Sequence, residues 1–231
     1  MSICLEVKNL TVGYGSTTIV RDVSFSVEQG SALCLLGLNG AGKTTLLKAI
    51  AGLLPFTGSV VLNGMDISDQ TGSKINRAGL AYSPQEKGVF AGLTVNEHLR
   101  LARRFDQNNL WRQEELLDLF PTLRERLSQD AQTLSGGQRK MLNFVMALSS
   151  SPSLVLMDEP TEGVAPVVRE QLVGALKIIS NMVSILIVEQ NLDTALALAK
   201  HGHVMERGRL VASGDVNQMH SSGLLESLLA V

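Results

Sequence analysis

The chain has 231 residues, a net charge of −2 at pH 7, and 45% hydrophobic against 18% charged residues. These values predict one globular domain with a large core and exclude a disordered chain, and the mild acidity argues against a broad nucleic-acid surface. The N-terminal residues alternate like a strand rather than a signal peptide, and no apolar run reaches the roughly 20 residues that span a bilayer. We expect a soluble, cytoplasmic protein.

The first third of the chain is rich in strand signals, which lie at 3–7, 19–27 and 59–62 and are separated by turn signals at 13–15, 28–30 and 63–64. Cys4 and Cys34, the two cysteines, both fall in apolar strand-like runs. No second pair supplies the spacing of metal ligands, so we expect two buried, reduced thiols.

Residues 31–50 carry the strongest motif of the sequence. An apolar run leads into Gly37-Leu-Asn-Gly40-Ala-Gly42-Lys43-Thr44, and apolar residues follow at helical spacing. Glycines let several backbone N–H groups converge on one phosphate, and the following helix adds its positive end. Lys43 supplies a mobile positive charge, and the Thr44 hydroxyl can hold Mg²⁺. The motif predicts that the chain binds a nucleoside triphosphate.

Tyr14 lies between two glycines upstream of this loop. Its position suits equally a turn aromatic and a ring that stacks on the nucleotide base.

The middle of the chain is predicted to be largely helical. Residues 80–85 form a short strand that Pro84 stops, and Thr94 and Glu97 form a capping box that opens a helix of about ten residues. Residues 110–128 have helical periodicity, with Trp111 as a packing residue, and Pro121 breaks them.

A second glycine motif, Leu134-Ser135-Gly136-Gly137-Gln138, precedes another helix. Ser135 and Gln138 satisfy a capping box, which alone would explain this start. Two adjacent glycines are costly in a helix, however, and they leave backbone N–H groups uncovered, as the close approach of a phosphate requires.

The last third alternates buried strands with helices. The apolar run 153–157 ends in Asp158-Glu159-Pro160, where a pair of carboxylates suits either a solvated loop or the ligand site at the end of a parallel strand. The apolar run favours the ligand site. We predict the remaining elements as a helix at 166–180, a strand at 183–188, a helix capped by Asn191 and ended by Gly202, a hairpin turning at Gly208, and a helix at 224–229.

These motifs in this order resemble the nucleotide-binding subunits of ABC transporters over nearly the whole chain. The phosphate loop alone would indicate only an NTPase, and the LSGGQ signature at 134–138 makes the resemblance specific. It implies an α/β fold of the P-loop NTPase class: a RecA-like mixed sheet, an N-terminal antiparallel β subdomain and an inserted helical signature subdomain at about 86–148. The expected domain covers residues 1–231.

The resemblance also implies roles for individual residues. Tyr14 would stack on adenine, Gln85 would touch Mg²⁺ and the attacking water, Asp158 would hold Mg²⁺ with Thr44, and Glu159 would polarise the water. The residues expected to bind ATP are Tyr14, Gly37, Leu38, Asn39, Gly40, Ala41, Gly42, Lys43, Thr44, Thr45, Gln85, Ser135, Gly136, Gly137, Gln138 and Asp158.

In this family two ATPase subunits pair head to tail, so that each ATP lies between one phosphate loop and the other chain's signature. The implied partners are a second ATPase subunit (the same chain or a different one), transmembrane permease subunits and, indirectly, a solute-binding protein, with no nucleic acid. The chain would lie at the cytoplasmic face of the inner membrane. Gln85, Phe90 and Leu93 are expected to line the docking groove, although Phe90 and Leu93 suit a core equally well.

Longer stretches, such as LLGLNGAGKTTLLKAIAGLLP and DEPTEGVAP, resemble the subunits that energise uptake of branched-chain amino acids or urea, with a lean toward the urea branch. Two residues depart from the general pattern: Gln190 replaces the switch histidine and Ala165 replaces an aspartate. We interpret both replacements as adjusting the rate of ATP hydrolysis and not abolishing it. The catalytic candidates are therefore Glu159, Gln190 and Gln85. The alternatives are an ATP-gated clamp with weak hydrolysis and an ABC ATPase that acts outside transport.

Overall fold

The computed structural model describes residues 2–85, 88–103 and 112–229. Its strands are β1 (Ile3–Tyr14), β2 (Thr17–Glu28), β3 (Ala32–Leu36), β4 (Phe56–Leu62), β5 (Met65–Asp66), β6 (Leu80–Ser83), β7 (Leu154–Asp158), β8 (Ser184–Glu189), β9 (His201–Glu206) and β10 (Arg209–Asp215). Its helices are α1 (Lys43–Ile50), α2 (Gly72–Arg77), α3 (Val95–Ala102), α4 (Gln113–Asp118), α5 (Pro121–Arg124), α6 (Gly136–Ser149), α7 (Pro166–Ile179), α8 (Leu192–Leu198), α9 (Val216–Ser221) and α10 (Leu224–Leu229).

The strands form two sheets, as the predicted fold requires. A four-stranded antiparallel sheet has the order β2-β1-β4-β5, and a six-stranded mixed sheet has the order β10-β9-β3-β8-β7-β6. Within the second sheet, β9, β3, β8, β7 and β6 run parallel, and β10 pairs antiparallel with β9. Strands β7 and β8 are buried at every position, which explains their uninterrupted apolar sequences.

The mixed sheet separates two hydrophobic clusters. Alternate residues of β3 face opposite sides: Leu33 and Leu35 pack with the antiparallel sheet and α1, whereas Cys34 and Leu36 pack with the helices beyond. Cys34 and Cys4 are buried free thiols, as predicted.

This topology brings the ends of three strands together. Leu36 of β3 is paired with Glu189 of β8, and Asp158 of β7 is paired with Val188 of β8. The phosphate loop after β3 and the carboxylates at the end of β7 therefore flank the end of β8, which is where open α/β sheets bind ligands.

The helical part begins as its capping signals predict. Thr94 and Glu97 form a reciprocal capping box on α3, and Ser135 and Gln138 form another on α6. Pro121 divides the predicted 110–128 helix into α4 and α5. Trp111 lies outside the described residues. The extent of a helical subdomain at about 86–148 stays a proposal.

Two local predictions were wrong. Gly202 does not end α8, because Ala199 is already extended and Gly202 lies inside β9, where a Cβ atom would come within 3.1 Å of the Cys34 carbonyl oxygen. The turn predicted at 13–15 lies instead after Tyr14, since β1 continues through that residue.

No helix in the described ranges is long and apolar enough to cross a membrane.

Gly64 and Gly208 make a matched test of turn geometry. Both follow a left-handed residue in a two-residue hairpin turn, and both have φ of +80°. An added Cβ atom meets nothing within 4 Å at Gly64, but lies 1.9 Å from the Ile19 carbonyl oxygen at Gly208. We expect Gly64→Ala to lower the free energy of unfolding by about 1 kcal/mol through backbone strain. Gly208→Ala should cost about 1–3 kcal/mol more through the steric clash. Urea unfolding measures both losses, and equal losses would contradict the packing of this turn.

Candidate functional site

The phosphate loop has a backbone that only glycine supports at several positions. Gly40 and Gly42 have φ of +80° and +105°, and a Cβ atom at Gly37 would lie 2.4 Å from the Met205 carbonyl oxygen. The loop is also held from outside, because the Gly208 N–H donates to the Ala41 carbonyl oxygen over 2.9 Å.

The same loop leaves many donors unused. Among the described residues, no hydrogen-bond acceptor pairs with the backbone N–H groups of residues 39, 40 and 42–45. These groups lie on the loop and the first turn of α1, whose positive end adds to them. The arrangement can bind an anion with several negatively charged oxygens, as a phosphate has.

Lys43 is 4% exposed, and its ammonium lies inside this loop. Its Nζ atom donates to the carbonyl oxygens of Gly37 (2.6 Å) and Leu38 (3.1 Å), and it lies 3.0 Å from Oε1 of Glu159. The structure therefore brings the lysine of the first motif onto the glutamate that follows β7.

Asp158 and Thr44 also meet. The Thr44 hydroxyl donates to Oδ1 of Asp158 (2.9 Å), and the Tyr82 hydroxyl donates to Oδ2 (3.0 Å). Burial raises the pKa of Asp158, and these two hydrogen bonds oppose the rise. A carboxylate and a hydroxyl are hard oxygen donors of the kind that Mg²⁺ takes together with phosphate and water, so the donor set fits that ion.

Glu159 has an unusual backbone, with φ of +48°. Its N–H donates to the Val188 carbonyl oxygen over 2.9 Å, which ties it to the end of β8. Gln85 donates from Nε2 to Oε2 of Glu159 (3.2 Å) and also to the Glu162 carboxylate. Burial raises the pKa of Glu159 and neighbouring Glu162 adds to the rise, while Lys43 opposes it.

The signature motif caps its own helix and keeps donors free. Ser135 Oγ accepts the Gln138 N–H (3.3 Å), and Gln138 Oε1 accepts the Ser135 N–H (3.0 Å). The N–H groups of Gly136 and Gly137 have no acceptor among the described residues. Nor does any hydrogen bond or ion pair in this part of the chain join 134–138 to 37–45.

Three predicted residues make no hydrogen bond or ion pair with this cluster within the described ranges. Tyr14 is 49% exposed at the end of β1. Gln190 is exposed just beyond β8. Ala165 begins α7 and provides no side-chain cap. Their roles toward a nucleotide stay predictions.

Sequence reasoning missed four neighbours of the site: Tyr82, Lys140, Glu162 and Glu189. Lys140, in the second turn of α6, donates from Nζ to the Glu159 carbonyl oxygen over 2.6 Å. Glu189 ends the buried strand β8, and this position, the same signal that identified Asp158, could have revealed it. Nothing comparable in the sequence marks Lys140.

Glu189 joins the loop after β7 to the loop after β8. Glu189 is 1% exposed, and its carboxylate accepts both the N–H (3.1 Å) and the hydroxyl (2.8 Å) of Thr161. The Thr161 hydroxyl also lies 3.2 Å from that of Thr194 in α8. Burial raises the pKa of Glu189, and the bonds from Thr161 oppose the rise.

Three features define a P-loop NTPase of the ATP-binding-cassette type. They are the mixed sheet, the glycine-rich phosphate loop that leads into α1, and the cluster of a lysine and carboxylates beside that loop. Residues 20–162 match the family model described as ABC transporter. The chain belongs to this family, whose members are the ATP-binding subunits of transporters, hydrolyse ATP and work with membrane permease subunits.

Individual relatives extend the similarity to nearly the full chain. It is 36% identical to the high-affinity branched-chain amino acid transport ATP-binding protein BraG of Pseudomonas aeruginosa, over 95% of this chain and 93% of the relative. It is 35% identical to the probable branched-chain amino acid transport ATP-binding protein LivF of Archaeoglobus fulgidus, over 97% of each. A solved ATP-binding subunit of an ABC transporter superimposes with a TM-score of 0.84 at 31% identity, covering 99% of this chain and 100% of that one.

Glu189→Gln tests the buried carboxyl group through the pH dependence of stability. The folded chain binds the Glu189 proton more tightly than the unfolded chain, because burial raises its pKa above the ordinary 4.5. Its contribution to stability is therefore present below about pH 4.5 and is lost as the pH rises through the raised pKa. We expect the wild type to lose more unfolding free energy than the variant between about pH 4.5 and 7.5 in urea titrations. Identical slopes would show that Glu189 does not titrate as described.

Proposed function

We propose that the chain is the ATP-hydrolysing subunit of an importer that takes up branched-chain amino acids, with urea or other short amides as the alternative solute class. One observation carries the chemistry: residues from separate motifs, Lys43, Thr44, Asp158 and Glu159, lie in direct contact at the end of one sheet. The solute class rests on the two relatives named for branched-chain amino acid transport.

The phosphate loop would hold the triphosphate. The unpaired N–H groups of residues 39, 40 and 42–45 would donate to phosphate oxygens, and Lys43 would turn from Glu159 to the terminal phosphates. Thr44 and Asp158 would hold Mg²⁺, which, when bound, supplies positive charge that stabilises the phosphate oxygens. Tyr14, exposed at the end of β1, would stack on the adenine ring.

Glu159 would act on the attacking water. Its carboxylate would polarise or accept a proton from that water, and burial, by raising its pKa, makes it a stronger base than a solvated glutamate. Gln85, which donates to Glu159, would orient the same water and sense the terminal phosphate. Gln190, next along the chain from Glu189, would supply an amide donor in place of the family's histidine.

The signature would serve a second subunit. The free N–H groups of Gly136 and Gly137 begin a 14-residue helix, an arrangement suited to an anion. Their own phosphate loop makes no hydrogen bond with them in the described chain. We therefore place ATP between Lys43 of one subunit and Ser135 of its neighbour, with closure on ATP and opening after hydrolysis as the working stroke.

Permease subunits would dock beside Gln85. A cavity of about 660 Å³ lies there between the loop that carries Gln85 and helix α6, and Val89 and Asn143 are among its lining residues. Phe90 is 61% exposed and stacks on His98, which favours a docking role over a core role. Such docking would place the chain at the cytoplasmic face of the inner membrane.

Lys43→Ala tests both hydrolysis and transport. We expect loss of detectable ATPase activity, because the variant lacks the charge that faces the terminal phosphates. In vesicles carrying the permease subunits encoded beside this chain and a loaded binding protein, ATP-driven uptake of labelled leucine should disappear with it. Lys177→Ala, on the exposed last turn of α7, is the matched control and should retain both. If vesicles with the wild-type chain take up labelled urea but not leucine, the solute class is urea and not branched-chain amino acids, and the ATPase assignment is unchanged.

Glu159→Gln tests the pairing and the role of the carboxylate. The amide keeps the shape of the side chain but cannot accept a proton, so ATP should bind without turnover and hold two subunits together. We expect an ATP-dependent dimer on size exclusion, with this chain alone or with its cognate second ATPase. Glu170→Gln, an exposed carboxylate of α7, should elute like the wild type. Normal hydrolysis by Glu159→Gln would assign the role to another group.

A further inference from the structure

A lysine of helix α6, the helix that carries the LSGGQ signature, hydrogen-bonds to the loop after β7 in its own subunit. Lys140 lies five residues beyond Ser135 on α6, which is about 7.5 Å along the helix axis. Its Nζ atom donates to the backbone carbonyl oxygen of Glu159 over 2.6 Å. This bond reaches from the helix that carries LSGGQ to the residue proposed to activate water.

Electrostatics keep the ammonium in this place. The Lys140 side chain is half-buried, and burial lowers its pKa, but four carboxylates oppose that shift: Asp158, Glu159, Glu162 and Glu189. Lys43 also contacts this group, through the Glu159 carboxylate. A charge-assisted hydrogen bond in partly buried surroundings is stronger than a neutral one, so Lys140 is a firm restraint.

The restraint acts on a backbone that needs support. Glu159 has φ of +48°, a conformation that costs a residue with a Cβ atom about 1–2 kcal/mol. Val188 fixes its N–H group, and its carbonyl oxygen is fixed by Lys140, with the Glu162 N–H as a longer second donor at 3.3 Å. Lys140 holds the main chain of Glu159 and not its carboxylate, so this bond does not compete with the contact between Lys43 and that carboxylate.

We infer that Lys140 is a positioning residue that transmits the position of the signature helix to Glu159. In the head-to-tail pair proposed above, on which this inference rests, Ser135 of α6 faces the neighbouring ATP. Contact of α6 with that ATP fixes the position of Lys140. Lys140 in turn fixes the position of the Glu159 carbonyl oxygen, and therefore of the Glu159 carboxylate, at the other ATP. Each site thereby reports its occupancy to the other.

Lys140→Met removes the ammonium and retains most of the aliphatic stem. We expect kcat for ATP hydrolysis to fall about a hundredfold, as for a displaced catalytic group, with the Mg-ATP dissociation constant within about threefold of wild type. The Hill coefficient for ATP, about two in a coupled pair, should fall towards one. Lys140→Arg, which keeps a charged donor, should recover most of both properties. Lys177→Met makes the same change on an exposed helix position and should behave as wild type.

The alternatives give distinct results. Wild-type kcat and Hill coefficient in Lys140→Met, or equal losses in Lys140→Met and Lys140→Arg, would overturn the inference. If Lys140→Met does not bind Mg-ATP or has a lowered melting temperature, Lys140→Gln takes its place in the test. Glutamine retains a neutral donor, so we expect smaller losses of kcat and Hill coefficient in this variant. An inactive wild type that fails to bind Mg-ATP would instead refute the proposed function.

Discussion

The contact between Lys43 and Glu159 is the interaction on which the whole site depends. Two opposite charges, 4% and 5% exposed at their side chains, lie 3.0 Å apart, one at the start of α1 after β3 and the other just after β7. Buried charges are tolerated only when they are paired and hydrogen-bonded, so the surrounding structure must supply partners. It does so with loop carbonyl oxygens for the lysine, and with Gln85 for the glutamate. The sheet order β3-β8-β7 is what brings these partners within reach.

Much of this arrangement could be predicted from the sequence because its signals are local. Glycines that require positive φ, capping boxes at Ser135 and Thr94, and apolar runs that end in carboxylates each act over fewer than ten residues. Family resemblance then supplied the long-range order, which the two sheets confirm. The assignment of nucleotide roles to Tyr14 and Gln190 depends on that resemblance, and their exposed positions leave it as a proposal.

The parts that sequence did not predict depend on packing between distant elements. Gly202 has the composition of a helix stop, yet it lies in β9 beside Cys34 of β3, where a Cβ atom would crowd the Val216 side chain and the Cys34 carbonyl oxygen. Lys140 has the spacing of an ordinary surface cation on an amphipathic helix. Only the fold shows that a half-buried carbonyl oxygen, nineteen residues away, lies within hydrogen-bond distance of its ammonium. A contact of this kind produces neither a motif nor a hydrophobic periodicity in the sequence.

The hairpin formed by β9 and β10 has a further consequence. The Met205 carbonyl oxygen occupies the space that a side chain at Gly37 would need, and the Gly208 N–H donates to the Ala41 carbonyl oxygen. This hairpin therefore packs against the phosphate loop and constrains its backbone. It lies outside the stretch 20–162 that matches the family model. A fragment ending after that stretch would retain the phosphate-loop and LSGGQ motifs. It would lack the hairpin whose backbone contacts hold the phosphate loop in its conformation.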